Sequence, residues 1–185
     1  MPSNKVFIAT SLDGYIAKTN GDIEWLHSVP NPDGNDMGYA ELMNNTDAII
    51  MGKNTFNTVI GFDMEWPYTK PVFVLSNTLK EIPIKAQNKA EIVSGDLKQL
   101  IKKLHHKGFY NLYIDGGKTI QSFLKEDLID EMTITIIPIL LGDGIPLFGK
   151  NNTSLKFKYI KTERYLNTIV QNTFVRDPSS SNNKH

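Results

Sequence analysis

The chain has no cysteine in its 185 residues, which removes disulfides, thiol nucleophiles, zinc–thiolate centres and iron–sulfur clusters from consideration. It also has no excess of charge: 20 Lys and Arg balance 20 Asp and Glu. A molecule without net charge has no bulk field to draw in nucleic acid or an anionic membrane, so neither is expected as a partner. No stretch reaches the roughly 18 apolar residues of a membrane span. The apolar run in Met1 to Thr10 is too short for the core of a signal peptide, and a cytoplasmic location is expected. The nucleotide-binding signature G-x-G-x-x-G does not occur. Gly117-Lys118-Thr119 is no P-loop either, because Leu112 stands where that motif needs its first glycine.

What is present is 40% apolar residues, enough to bury one core, arranged in segments of alternating type. Lys5 to Ser11, Asp47 to Gly52 and Pro71 to Ser76 read as strands, the latter two as continuous apolar runs of the kind buried on both faces. Glu91 to Val93 is a shorter candidate, and Asn111 to Asp115 another strand. Helices are expected over Asp36 to Asn45, Lys53 to Val59 and Asp96 to Lys107, and again after Gly117. Leu97, Leu100, Ile101 and Leu104 fall at helical spacing, and Gly108 supplies a stop. Met132 to Leu141 is β-rich, with Pro138 marking a bulge or end. Phe157 to Arg164 and Thr168 to Val175 alternate around Leu166-Asn167 as a closing hairpin.

This pattern predicts an α/β fold with a mostly parallel central sheet and a C-terminal antiparallel hairpin. One domain is expected over 1–176, and the polar, serine-rich stretch 177–185 reads as a disordered tail.

Ligands of open α/β sheets bind beyond the carboxyl ends of the strands. Three loops qualify: Gly52-Lys53-Asn54-Thr55, Ser76-Asn77-Thr78 and Asp115-Gly116-Gly117-Lys118-Thr119. Two of them open helices, so backbone N–H groups, hydroxyls and a lysine could surround phosphates. His27, His105 and His106 have no partners at metal spacing and read as surface residues, and no metal is expected. Trp25 and Trp66 read as core or loop anchors.

Ser11-Leu12-Asp13-Gly14-Tyr15-Ile16-Ala17, Met51-Gly52-Lys53-Asn54-Thr55-Phe56, Val74-Leu75-Ser76-Asn77 and Asp115-Gly116-Gly117 resemble, in order and spacing, the dihydrofolate reductase superfamily across residues 4 to 176. Leu128-Ile129-Asp130-Glu131 and Pro138-Ile139-Leu140-Leu141-Gly142-Asp143-Gly144 bring the chain closer to the reductase domain of the bifunctional riboflavin-biosynthesis deaminase-reductase, in its stand-alone branch. The resemblance implies a three-layer dihydrofolate reductase-like fold with helices on both sheet faces, and an NADPH-dependent reductase acting on a small heterocycle or ribosylamino-pyrimidine, similar to 5-amino-6-(5-phosphoribosylamino)uracil reductase. It implies a homodimer too, with the region near Thr133 to Pro138 as its contact.

Carried over by motif, Ala9 and Ile16 match positions against the nicotinamide. Gly52, Lys53, Asn54 and Thr55 match the pyrophosphate turn, with Lys53 in reach of the extra ribose phosphate. Leu75, Ser76 and Asn77 match the adenosine side, and Lys118, Thr119 and Ile120 the first helical turn beneath the phosphates. Gly116 and Gly117 match a pair joined in the family by a cis peptide. Asp36 matches the acid that holds and helps protonate a pterin ring, or it caps a helix. Asp115 could relay a proton beside the cofactor, or bond loop amides. Asp13 is first a turn residue. Lys70 stands near the arginine that clamps the folate tail and lacks its planar fork, which argues for a different substrate. Dihydrofolate or pteridine reduction, a non-catalytic NADPH-binding sensor and an interaction module without cofactor remain as alternatives.

Overall fold

The computed structural model describes residues 1–151 and 153–180. Its strands are β1 (Ser3–Thr10), β2 (Tyr15–Ala17), β3 (Ala48–Gly52), β4 (Val72–Leu75), β5 (Ala90–Val93), β6 (Asn111–Asp115), β7 (Glu131–Ile136), β8 (Ile145–Pro146), β9 (Phe157–Tyr165) and β10 (Ile169–Arg176). The helices are α1 (Tyr39–Asn44), α2 (Lys53–Gly61), α3 (Leu97–His106) and α4 (Gly117–Lys125). Eight strands form one sheet in the order β5-β4-β3-β6-β1-β7-β10-β9, while β2 and β8 make a separate ribbon. Every pairing from β5 across to β7 is parallel, and the β7-β10 and β10-β9 pairings are antiparallel.

The central strands are apolar throughout because both of their faces are covered. In β3, Ala48 and Ile50 pack with α3 and α4, whereas Ile49 and Met51 pack with α1 and α2. The same alternation sends Leu112 and Ile114 to one face and Tyr113 to the other. This is the dihydrofolate reductase-like three-layer arrangement. The apolar stripe of α3 is buried as its spacing requires, with Asp96 accepting from the Gln99 N–H at 2.9 Å.

The hairpin turns at Leu166 (φ 50°) and Asn167 (φ 60°), both left-handed as a two-residue β-turn matching strand twist demands. β7 stops before Pro138, which cannot donate to a ladder. It lies between β1 and β10, so both of its edges are occupied and a dimer cannot form by strand pairing at Thr133 to Pro138. Of the tail expected from Asp177 onward, Pro178–Ser180 form a 3-10 turn and Asp177 pairs with Lys158 at 3.3 Å. Residues 181–185 lie outside the described residues. Among those described, no helix is long and apolar enough to cross a membrane.

The short strands β2 and β8 carry no period that a sequence reading could detect. They meet because Asp13 accepts from the backbone N–H groups of Leu141 (3.2 Å) and Gly142 (2.8 Å), tying the loop after β1 to the loop after β7. The Ser11 hydroxyl donates to Asp13 at 2.6 Å, and hydrogen bonding holds this carboxyl below the usual carboxylate range. Asp13 is thus more than a turn residue: it latches the ribbon over the sheet.

Candidate active site

A cleft of about 930 Å³ opens at the carboxyl ends of β1, β3, β4 and β6. β3 and β6 are neighbours with Met51 opposite Asp115, so the glycines that follow them stand side by side. A Cβ on Gly52 would lie 2.7 Å from Thr119 Oγ1, and one on Gly116 would run into Thr55 Oγ1. Each glycine precedes one helix and touches a threonine of the other, so α2 and α4 begin at closest approach. Neither helix has a side-chain cap. Their first N–H groups therefore point into the cleft as paired anion sites.

The expected cis bond between Gly116 and Gly117 is absent: no described peptide bond is cis. The sharp turn comes instead from Gly116 at φ 88° and ψ 135°, a conformation that residues with a Cβ rarely adopt.

The cleft gathers most of the residues expected from sequence. Gly52, Lys53, Asn54 and Thr55 line it on the α2 side, and Gly116, Gly117, Lys118 and Thr119 on the α4 side. Ala9 and Ile16 lie against it from β1 and the ribbon, and Leu75 and Ser76 from β4. Lys53 Nζ donates to Thr78 Oγ1 at 3.0 Å, which bridges the β3 and β4 loops. The Ser76 hydroxyl accepts from the N–H groups of Thr78 and Leu79 and shapes the second of these loops. Asn77 and Ile120 are not among the lining residues. Asn77 is exposed, and Ile120 turns into the core with no exposed surface.

Asp115 lines the cleft and Asp36 does not. The Asp36 carboxylate is exposed and accepts from the Gly38 and Ala40 N–H groups at 3.0 and 2.8 Å, bracing the turn into α1. Asp115 sits on the face of β6 that carries Tyr113. Burial raises its pKa to about 6, against the opposing pull of the Gly116 N–H, which donates to it at 2.8 Å. The Tyr113 hydroxyl is within hydrogen-bond reach and spends its proton on the Phe7 carbonyl at 3.0 Å. Its nearness to the carboxylate pulls the Asp115 pKa down, as the Gly116 N–H does, and burial outweighs both. Tyr39 and Tyr68 both feel the Asp115 charge; burial first, and this charge second, push the Tyr39 phenol up to about 12 and Tyr68 higher.

Sequence reasoning missed several lining residues: Tyr68, Phe62, Thr58, Ile23, Leu26 and Ile145 among them. Thr55, Thr58, Val59 and Phe62 share helical spacing, the one signal that could have marked a cleft-facing side of α2. Tyr68 is set by Trp66, whose ring meets Phe56 at 5.8 Å and Tyr68 at 5.3 Å, both edge-on. Trp66 and Trp25 are buried anchors as expected. His105, expected at the surface, is half-buried against Tyr110 with ring centroids 5.7 Å apart, since it follows the buried Leu104 on α3.

Comparison with known proteins agrees with this geometry. The model of the RibD C-terminal domain matches residues 4–171. A crystal structure from Shewanella sp. PV-4, of a protein provisionally assigned to riboflavin biosynthesis, is 56% identical; it covers 95% of this chain and 99% of its own, with a TM-score of 0.92. The uncharacterized protein YwjB of Bacillus subtilis is 34% identical over 84% of this chain and 89% of its own. Dihydrofolate reductase from Enterococcus faecalis, solved with NADP(H), shares the fold at a TM-score of 0.65 and 16% identity, covering 95% of this chain and 96% of its own.

Two outcomes are expected from this geometry. The folded Asp115 carboxyl keeps its proton to about pH 6, whereas the unfolded one releases it near 3.8. Between those values the native state binds more protons, so this group's contribution to stability is greatest below pH 4 and declines as pH rises to 6. Asp115→Asn should therefore match the parent protein at pH 4 and exceed it above pH 6 by up to about 3 kcal/mol, read from urea unfolding. Gly116→Ala should destabilise by roughly 2–4 kcal/mol through its positive φ and the collision with Thr55. Adding Thr55→Ala should recover the collision part and leave about 1 kcal/mol of backbone strain.

Proposed function

We propose that this chain, which belongs to the RibD C-terminal domain family, is an NADPH-dependent reductase. Its substrate would be a small heterocyclic or ribosylamino-pyrimidine compound, as in the 5-amino-6-(5-phosphoribosylamino)uracil reductase reaction. The observation that carries this reading is the meeting of two uncapped helix N-termini at Gly52 and Gly116, in a cleft that also holds a carboxyl with a raised pKa. The glycine cradle suits the diphosphate of a dinucleotide, because only without Cβ atoms can a backbone come so close to phosphate oxygens.

In this reading the N–H groups opening α2 and α4 hold the diphosphate, with Thr55 and Thr119 beside them. Lys53, already turned toward the β4 loop, neutralises the further phosphate that distinguishes NADPH. Ile16 and Ala9 press on the nicotinamide end, and Ile145 closes the ribbon side. The bound coenzyme supplies the hydride. Asp115, protonated near neutral pH far more often than an ordinary carboxyl, delivers a proton to the substrate nitrogen that receives the electron pair. Asp36, engaged in bracing α1, has no part in this step. The homodimer belongs to the proposal as well. β9 offers it a free sheet edge with Tyr159 and Ile160 exposed.

Fluorescence titration with NADPH tests the reading: saturable micromolar binding is expected, and none up to millimolar concentration overturns it. A Cβ on Gly117 would come too close to the movable end of Ile16, at 2.7 Å, and would sit at ordinary contact with the Pro146 carbonyl and Ile145. Gly117→Val should therefore weaken NADPH at least tenfold while lowering the melting temperature by only a few degrees. With pyrimidine and pterin substrates, kcat/KM should fall as pH rises through 6, and Asp115→Asn should lose that pH dependence with at least a hundredfold of rate. Binding without any oxidation of NADPH would identify a sensor instead.

A further inference from the structure

We propose that the substrate of this cleft is an uncharged, planar nitrogen heterocycle without a phosphate group, an inference that rests on the reductase reading and narrows it. Among the described residues lining the cleft, the cations are Lys53 and Lys118, at the openings of α2 and α4 where the coenzyme phosphates are assigned. Away from those two helix starts, apolar side chains such as Ala9, Ile23, Leu26, Phe62 and Tyr68 stand beside neutral polar ones such as Asn20, Asn57 and Thr58, and Asp115 is the one charged group. This is a surface for the faces of a flat ring, with one proton-bearing group at its edge.

Charge in the cleft is confined to its inner lining. Among the described lining residues Asp115 is the sole carboxyl, and Lys53 and Lys118 are the sole cations. Nearby cations are already engaged. Lys18 pairs with Asp22 at 2.7 Å, and Lys85 donates to the carbonyls of Ile60 and Phe62 at 3.0 and 2.6 Å at the end of α2. A phosphate dianion needs charge-assisted donors to replace its water, and once Lys53 and Lys118 hold the coenzyme phosphates the described lining has no further cation to supply them. A neutral ring needs only apolar contact and the hydrogen bond from Asp115.

Three matched pairs test the inference: 5-amino-6-(5-phosphoribosylamino)uracil and the same compound without its phosphate, a hydroxymethylpterin and its phosphate, and riboflavin and its 5′-phosphate. Binding to the NADP-loaded protein is measured by calorimetry, and turnover by NADPH consumption. The neutral member of at least one pair should bind at least tenfold more tightly, or turn over with at least tenfold higher kcat/KM, than its phosphate. Equal or better performance by the phosphorylated members overturns the inference while leaving the reductase standing. Failure of all three neutral compounds to bind a protein that does bind NADPH also overturns it. Failure to bind NADPH overturns the reductase reading and this inference together.

Discussion

The cleft exists because two glycines that follow adjacent parallel strands each press against a threonine of the other's helix. Gly52 with Thr119 and Gly116 with Thr55 bring the starts of α2 and α4 closer than residues with side chains would permit. Everything that gives the site its chemistry depends on that approach: the convergence of unpaired N–H groups, the reach of Lys53 toward the β4 loop, and the enclosure of Asp115 at the end of β6. The parallel sheet supplies the rest, since β3, β4, β6 and β1 all end on one side and place their following loops together.

Burial then divides the cleft into two electrostatic regions. At the helix openings, lysines and amide dipoles favour anions. At the Asp115 end, a carboxyl kept from water has its pKa raised to about 6, beside tyrosines that burial keeps neutral. One end suits the phosphates of a dinucleotide and the other suits a proton transfer. The ribbon of β2 and β8, latched by Asp13, closes the cleft over Ile16 and Ile145. The latch uses a turn aspartate and two amides of a loop nearly 130 residues along the chain.

The elements themselves were legible wherever burial imposes a period or a run. Strands covered on both faces read as unbroken apolar segments, and α3 read as a stripe ended by Gly108. The glycine loops were legible as punctuation after strands, and most of the residues the family motifs named do line the cleft, although they make up less than half of its described lining. The misses share one cause. Asn77 and Ile120 sit next to lining residues in sequence, yet side-chain direction sends one to solvent and the other to the core. Tyr68 and Phe62 have no motif, because their place is set by Trp66 and by the helical face of α2.

Sequence alone determined the order along the chain of the helices and of the eight strands of the main sheet, the glycine turns and the absence of thiol chemistry, because these follow from local conformational preference and composition. Tertiary structure alone decided that Asp115 and not Asp36 faces the cleft, that β7 is an interior strand, and that the turn at Gly116 is trans with a positive φ. The physical reason is that solvent exclusion and contact belong to pairs of distant segments. A carboxyl becomes an acid near neutrality only when other elements take its water away.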